Sequence, residues 1–435
     1  MYFSKYNIIS QVRDSDKWFI MNLLTGNADL LDAETAEAIS SGRKKDEAEL
    51  REKGYLADEA EEEILYRRKY LDFLDERDSS EIQIFLVPTY TCNFACSYCY
   101  QEGYCAPGGY ASEEVVQAFF RYVDNEFSGR KKYITLFGGE PLLPSAEARE
   151  RVVLMLDEAS RRSLDVAIVT NGYTLAEYID ILRQGRIREI QITLDGIGAE
   201  HDSRRFLKGG GSTFDRIVEG IDAALEAGFT INLRMVLDRE NIAELPELAR
   251  FAIEKGWAAN PRFKTQLGRN YELHTCQADR SRIFERVEMY EAIYNLARKH
   301  PEILEFHRPA LSVTRFLSDN GELPAPIFDA CPGCKTEWAF DLTGRIYACT
   351  AMVGKEGEEL GTFYPEPTKN QAIVSEWEER DVTVIPGCRE CTFQLTCGGG
   401  CAAVAKNRTG SINAPDCRPS REQIEMGMQL YFGEK

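Results

Sequence analysis

The sequence predicts an α/β protein built on a parallel sheet, with a small unit before the sheet and a cysteine-rich segment after it. Three observations predict this. Six apolar strand candidates alternate with helical patterns between Ile82 and Gln266, and strands separated by helices run parallel through right-handed crossovers. About 80 residues ahead of them follow a different order of elements. Eight of the 13 cysteines fall between Cys331 and Cys417, among many glycines and prolines.

The elements follow in chain order. Tyr6 to Val12 and Trp18 to Leu24 alternate apolar and polar residues around Asp14-Ser15-Asp16, the pattern of a hairpin. Asp32 to Ser41 and Asp46 to Lys53 read as short helices, the second ended by Gly54, and Tyr55-Leu56 as a third short strand. A longer helix starts in acidic Asp58 to Glu63 and carries Arg67-Arg68-Lys69 further on, an order that complements the helix dipole. The charged stretch Asp75 to Glu81 reads as a linker. The six strands are Ile82 to Val87, Tyr133 to Phe137, Val166 to Thr170, Ile187 to Leu194, Thr230 to Leu237 and Pro261 to Gln266. Helical patterns fill the gaps at Glu113 to Phe127, Ala146 to Arg162, Phe214 to Ala227 and Ile242 to Lys255. Six such units suit a doubly wound sheet or an incomplete barrel, and in both the chemistry gathers at the C-terminal ends of the strands. Arg280 to His300 is one more helix. The segment beyond it has few periodic stretches, so it is expected to build little apolar core and to depend on metal.

The bulk numbers narrow the function. With 435 residues and 43% hydrophobic residues, the chain has room for two or three domains and a large core. A net charge of −19 argues against a nucleic-acid partner and against anionic membrane surfaces. Met1 to Ser10 lacks a secretory pattern and no run approaches the roughly 18 apolar residues of a membrane span. The chain therefore reads as cytoplasmic, where disulfides are rare, and its cysteines need another explanation. Only four histidines are present (His201, His274, His300 and His307), none in a nucleophile motif, which argues against a hydrolytic triad.

The chemistry lies with the cysteines. Cys92, Cys96 and Cys99 follow the first strand on one loop. Three thiolates can ligate three irons of a 4Fe-4S cube and leave the fourth iron open. A zinc knuckle is the competing reading, but zinc prefers four ligands and no histidine lies nearby; Cys105 is the one cysteine placed to add a fourth. The second strand ends in Gly138-Gly139-Glu140-Pro141. Paired glycines there let a ligand approach the backbone, and the glutamate is placed to hold an ammonium group. The C-terminal block reads Cys331-x2-Cys334, Gly344-x4-Cys349, Cys388-x2-Cys391-x5-Cys397-x3-Cys401 and Cys417. Eight thiols can saturate two cubes, and two zinc ribbons are the alternative. Gly209-Gly210-Gly211-Ser212 lacks the ending of a phosphate-binding loop. Ser212 reads instead as a helix N-cap with Asp215 in the first turn.

With Tyr98 before the last cysteine of the loop, and with Gly138 to Pro141, the sequence resembles the radical S-adenosylmethionine (SAM) superfamily. The resemblance implies a partial (β/α)6 barrel. It also implies that the methionine amine and carboxylate of SAM chelate the open iron. Reductive cleavage then yields a 5′-deoxyadenosyl radical that removes hydrogen from a substrate. Thr193-Leu194-Asp195-Gly196 with His201-Asp202 and Arg205 resembles the stretch that contacts SAM in related maturases. The implied cofactor contacts are Tyr98, Gly138, Gly139, Glu140, Thr193 and Arg205. The C-terminal block resembles a SPASM domain, which implies two auxiliary 4Fe-4S clusters and three in all. Cys331, Cys334, Cys349 and Cys401 would hold the first and Cys388, Cys391, Cys397 and Cys417 the second. Cys105 and Cys276 are left over. The order of elements in residues 1–80 resembles a winged-helix-like domain that binds leader peptides by strand addition.

The expected architecture is therefore a winged-helix-like unit (1–80), a radical SAM barrel (81–275), a helical bridge (276–325) and a SPASM domain (326–435). The expected function is maturation of a precursor peptide, such as by thioether crosslinking, with a low-potential electron donor as second partner. An anaerobic sulfatase maturase is the nearest alternative. That family carries an aspartate after the cysteine of Gly-x4-Cys, where this chain has Thr350, and threonine is no general base near neutral pH. No residue of this chain is named as the base. From another class, a zinc-stabilised peptide-binding adaptor explains the C-terminal pairs but not the Cys92–Cys99 loop.

Overall fold

The computed structural model describes residues 1–43, 47–101, 108–269 and 281–433. Cys105, His274, Cys276, Asp46 and Arg280 lie outside them. The chain begins with β1 (Tyr2–Phe3), β2 (Asn7–Gln11), β3 (Trp18–Asn22), β4 (Asn27–Leu31), α1 (Ala33–Ser40), α2 (Glu47–Glu52), β5 (Leu56–Ala57) and α3 (Glu59–Ser79). The expected hairpin is β2–β3, and β4 adds a third antiparallel strand that the sequence pattern did not reveal. The strand foreseen at Tyr55-Leu56 is β5, which pairs with β1 rather than with the hairpin. The linker expected from Asp75 is corrected: α3 continues to Ser79, because nothing in Asp75-Glu76-Arg77-Asp78 breaks a helix already capped by Asp58.

The central sheet then begins. Its elements are β6 (Ile82–Val87), α4 (Glu113–Glu126), β7 (Lys132–Leu136), α5 (Ala146–Arg161), β8 (Val166–Thr170), α6 (Leu175–Leu182), β9 (Ile187–Thr193), α7 (Ala199–Arg204), α8 (Phe214–Glu226), β10 (Ile231–Leu237), α9 (Leu245–Glu254) and β11 (Phe263–Arg269). Strands β6 to β11 pair in parallel in chain order. The helices present apolar faces to the sheet. In α4, Ser112 caps the Val115 N–H, and Val115, Val116, Phe119, Phe120 and Val123 are buried.

The C-terminal part holds α10 (Arg286–Lys299), α11 (Ile303–Phe306), α12 (Thr314–Asn320), β12 (Glu337–Asp341), β13 (Arg345–Tyr347), β14 (Gly361–Thr362), β15 (Thr368–Lys369), α13 (Gln371–Glu378), α14 (Gln394–Cys397), α15 (Ala402–Thr409) and α16 (Ser420–Phe432). The expectation that this segment builds little core is overturned. Strand β12 lies parallel to β6, with Trp338 opposite Ile84 and Phe340 opposite Leu86, and β13 to β15 extend the sheet. Trp338, Phe340, Ile346, Phe363 and Trp377 join the main core. Phe119 and Phe127 pack edge-on against Phe340 and Trp338. The missed signal is short: five residues of β12 carry two large aromatics among the cysteines. The division at 326 thus passes along one continuous sheet.

The N-terminal unit packs on the cysteine-rich part. Tyr6 stacks on Tyr66, and Tyr66 and Tyr70 meet the buried Phe328 edge-on. The Tyr70 hydroxyl donates to Asp381 (2.7 Å) and that of Tyr66 to Gln394 (3.0 Å). Among the described residues no helix is long and apolar enough to cross a membrane.

Candidate functional site

The loop after β6 carries Cys92, Cys96 and Cys99 over the C-terminal end of the sheet. It is held from both sides. Ala95 N and Ser97 N donate to the carbonyls of Phe206 and Arg204, and Glu140 N donates to Thr91 O. Gly139, with φ near +23°, lies against the chain entering Cys92. A Cβ there would stand 2.4 Å from Thr91 O and 2.7 Å from Tyr90 C, so the loops after β6 and β7 meet only because residue 139 is glycine.

A cavity of about 310 Å3 opens between these loops. It brings together Cys92, Cys96, Cys99, Tyr98, Gly138, Gly139, Thr193 and Arg205. All were singled out by sequence. Arg205 is buried, donates from NH1 to the Tyr98 hydroxyl (2.8 Å), and keeps its Nε without a partner among the described residues. Tyr98 donates in turn to Asp195 Oδ2 (2.5 Å), whose other oxygen accepts from Val236 N. The buried Arg204 pairs with Asp238 at 2.9 Å, fixing the next turn. His201 accepts from Asp195 N at 3.1 Å, and burial followed by the charges of Arg205 and Arg204 holds its pKa well below the usual imidazole range.

Two expectations are corrected here. Glu140 does not face the cavity. Its carboxylate is buried and accepts from Leu142 N (2.8 Å), Thr170 Oγ1 (2.6 Å) and Asn171 N (2.6 Å), so it ties the ends of β7 and β8 together instead of meeting an ammonium group. Its pKa is raised by burial, against the lowering effect of those hydrogen bonds. Ser212 is not the cap of α8. The N-cap is Thr213, and the Asp202 carboxylate accepts from the N–H groups of Thr213 (2.7 Å) and Phe214 (2.9 Å).

Sequence reading missed Asn171, Gln101 and Arg234, all on the cavity wall. Asn171 reaches Asn93 Oδ1 (2.8 Å), and Gln101 Oε1 accepts from Gly139 N (2.9 Å). Asn171 ends the β8 unit, and inspecting the residue after each strand would have found it. Thr350 also lines the cavity, its N–H and hydroxyl both on Glu337 Oε1 at 2.8 and 3.1 Å.

The remaining cysteines among the described residues sort into two groups. Cys349 lies close enough to Cys331 and Cys401, and Cys334 to Cys331, for their charges to interact. Cys388 interacts in the same way with Cys397, Cys417 and Cys391. Cys331, Cys334 and Cys349 are buried, whereas Cys391 and Cys417 are exposed. Three residues separate Cys397 from Cys401, yet the two face different groups, because Gly398-Gly399-Gly400 turns the chain with positive φ throughout. A Cβ on Gly400 would stand 2.0 Å from Asp416 O. The buried Arg380 binds that turn through the carbonyls of Gly399 and Gly400. Burial pushes the Cys92 thiol up to about 12 and that of Cys388 to about 11. Among the described residues no group of three or more His, Cys, Asp or Glu side chains is gathered around a single point.

These residues fit the group that a radical SAM domain implies, SAM on a 4Fe-4S cluster. Three cysteines share one wall with an unpartnered guanidinium nitrogen suited to a carboxylate, and with a glycine pair that leaves the backbone open. Residues 86–252 match the model described as the radical SAM superfamily. The GTP 3′,8-cyclase of Campylobacter fetus subsp. fetus (strain 82-40) is 31% identical over 172 residues, covering 39% of this chain and 51% of the relative. The probable GTP 3′,8-cyclase of Archaeoglobus fulgidus is 33% identical over 180 residues, covering 41% and 56%. The chain spans about half the length of these curated relatives. Among solved structures, the native anaerobic sulfatase maturase anSMEcpe with bound AdoMet overlays with a TM-score of 0.62 at 17% identity, over 81% of this chain and 97% of that one. SuiB of Streptococcus suis bound to S-adenosylmethionine overlays with a TM-score of 0.53 at 14% identity, over 95% and 98%. At such identities the likeness is one of fold. Sequence match, fold and cavity agree: the chain carries a radical SAM domain.

Proposed function

We propose that this chain is a radical SAM enzyme that matures a precursor peptide, with three 4Fe-4S clusters. The observation that carries the reading is the convergence of the three-cysteine loop, Gly138-Gly139 and Arg205 on one cavity, with eight further cysteines in two groups of four. Cys92, Cys96 and Cys99 hold the active cluster. Cys331, Cys334, Cys349 and Cys401 hold the first auxiliary cluster, and Cys388, Cys391, Cys397 and Cys417 the second. When bound, SAM and its cluster supply a 5′-deoxyadenosyl radical that abstracts hydrogen from substrate.

The chain's own residues bind and orient. Arg205 offers its free Nε to a carboxylate, held in place through Tyr98 and Asp195. Thr193 offers a hydroxyl, and the glycine pair admits the cofactor against the backbone. Cys391 and Cys417 are exposed, which supports docking of a low-potential electron donor beside the second auxiliary group.

Peptide as substrate is supported by the fold's company: SuiB is recorded with its precursor peptide SuiA, and anSMEcpe with the Cp18Cys peptide. Residues 1–80 serve as the leader-binding unit, 81–275 as the barrel, 276–325 as the bridge and 326–435 as the SPASM domain. Thr350, which lines the cavity, follows the cysteine of Gly-x4-Cys, the sequence position of the sulfatase maturase aspartate; this favours a crosslinking maturase, such as a thioether former, over a formylglycine-forming one. The GTP cyclase reading rests on curated relatives matched over half their length. The test is anaerobic turnover with SAM, a reductant and a candidate precursor peptide. 5′-Deoxyadenosine release coupled to loss of hydrogen mass from the peptide is expected; consumption of GTP in its place would reject the peptide.

A further inference from the structure

A second cavity, of about 830 Å3, adjoins the first and shares Arg269 with it. Every part of the chain contributes to its wall: Leu23 from the N-terminal unit, Arg269 from β11, Arg286 from α10, Arg315 from α12, and Cys401 and Arg418 from the cysteine-rich part. Its charge runs against that of the molecule. In a chain of net charge −19, the described wall holds four arginines and a single carboxylate, Asp416. That carboxylate is already engaged: it pairs with Arg286 and accepts from Cys401 N at 3.1 Å. Arg315 donates only to the carbonyl of Arg308 (2.7 Å), and neither Arg315 nor Arg418 meets a carboxylate among the described residues. Both are exposed residues that line the cavity.

We propose that this cavity takes an acidic segment of the peptide substrate. Its carboxylates pair with Arg315 and Arg418, its apolar side chains lie on Tyr290 and Leu311, and residues next along the same peptide pass Arg269 to reach the cavity at Cys92–Cys99. The inference rests on the peptide-maturase reading. A polyphosphate fits the wall less well. The four guanidinium groups come from four separate segments of the chain with apolar side chains between them, whereas phosphates are cradled by converging cations and backbone N–H groups. An extended chain that alternates carboxylates with apolar residues matches the spread.

The test uses the full chain with its clusters, kept anaerobic, and fluorescence anisotropy of a labelled peptide alternating glutamate and leucine. Its counterpart has glutamine for every glutamate. The glutamate peptide is expected to bind roughly tenfold tighter or more, with the difference fading at high salt. Arg315→Glu with Arg418→Glu is expected to abolish that preference. Arg315→Gln with Arg418→Gln serves if the reversal does not fold, and iron content checks integrity in both. Equal binding of the two peptides overturns the inference. So does GTP that binds in preference to the glutamate peptide. So do variants that lose iron but keep the preference, because the arginines would then be countercharges of a cluster. Binding is read without turnover, so failure here with 5′-deoxyadenosine release intact removes the acidic segment alone, while absent release strikes the enzymatic reading.

Discussion

Gly139→Ala separates space from backbone strain. The added methyl would meet Thr91 O at 2.4 Å, Tyr90 C at 2.7 Å and Thr89 O at 2.8 Å. All three are backbone atoms leading into Cys92, so no side chain can swing aside. Overpacking of this kind costs about 1–3 kcal/mol, and the positive φ adds about 1–2 kcal/mol. Gly209 is the control: its φ is +90°, but a Cβ there has nothing within 4 Å. Gly209→Ala therefore carries only the backbone cost of about 1–2 kcal/mol. Thermal midpoints, iron content and 5′-deoxyadenosine release are measured anaerobically for both. Gly139→Ala is expected to melt below Gly209→Ala, and to lose most of its SAM cleavage because the three-cysteine loop must shift. Equal midpoints and equal release would refute the claim that the contact between the loops after β6 and β7 builds the site.

Other expectations follow from single contacts. Cys96→Ala should abolish SAM cleavage while leaving most of the fold, and retained cleavage would reject the active-cluster assignment. Cys397→Ala should lower iron by about four per chain; an unchanged iron count would contradict the second auxiliary group. Glu140→Gln turns an amide N–H₂ toward N–H and hydroxyl donors and should cost about 1.5–3 kcal/mol, read as a lower midpoint; an unchanged midpoint argues against the buried carboxylate as a tie. His307 has its pKa pushed down to about 4 by burial and by Arg315. Its ring is thus neutral in the fold, and its contribution is present above the ordinary value of 6.5 and lost as pH falls toward 4, by up to about 3 kcal/mol. His307→Gln should flatten the stability profile across that window, and an unaltered slope would contradict the shift.

Much of the fold was readable where local pattern decides structure. β6 and β8 begin and end where the sequence placed them, because short β-branched and apolar runs are bounded by turn residues there. β4 was not readable: Asn27-Ala28-Asp29-Leu30-Leu31 has no alternation and becomes a strand through its pairing with β3. α6 and α7 are short, and neither has a side-chain cap. The pairing of β12 with β6 joins residues some 250 apart, and nothing local encodes it. At the site, residue type and spacing found the cysteines, the glycine pair and Arg205. They misjudged Glu140, because the direction of its side chain is set by donors that β8 supplies. They passed over Arg234 and Asn171, whose place on the cavity comes from strand order rather than from any motif.

The central claim is three iron–sulfur clusters around a radical SAM site. The most direct measurement is anaerobic quantification of iron, sulfide and zinc per chain, with 5′-deoxyadenosine release on adding SAM and a reductant. About twelve irons with matching sulfide, little zinc and clear release are predicted. Zinc in the cysteine groups without release would contradict the account.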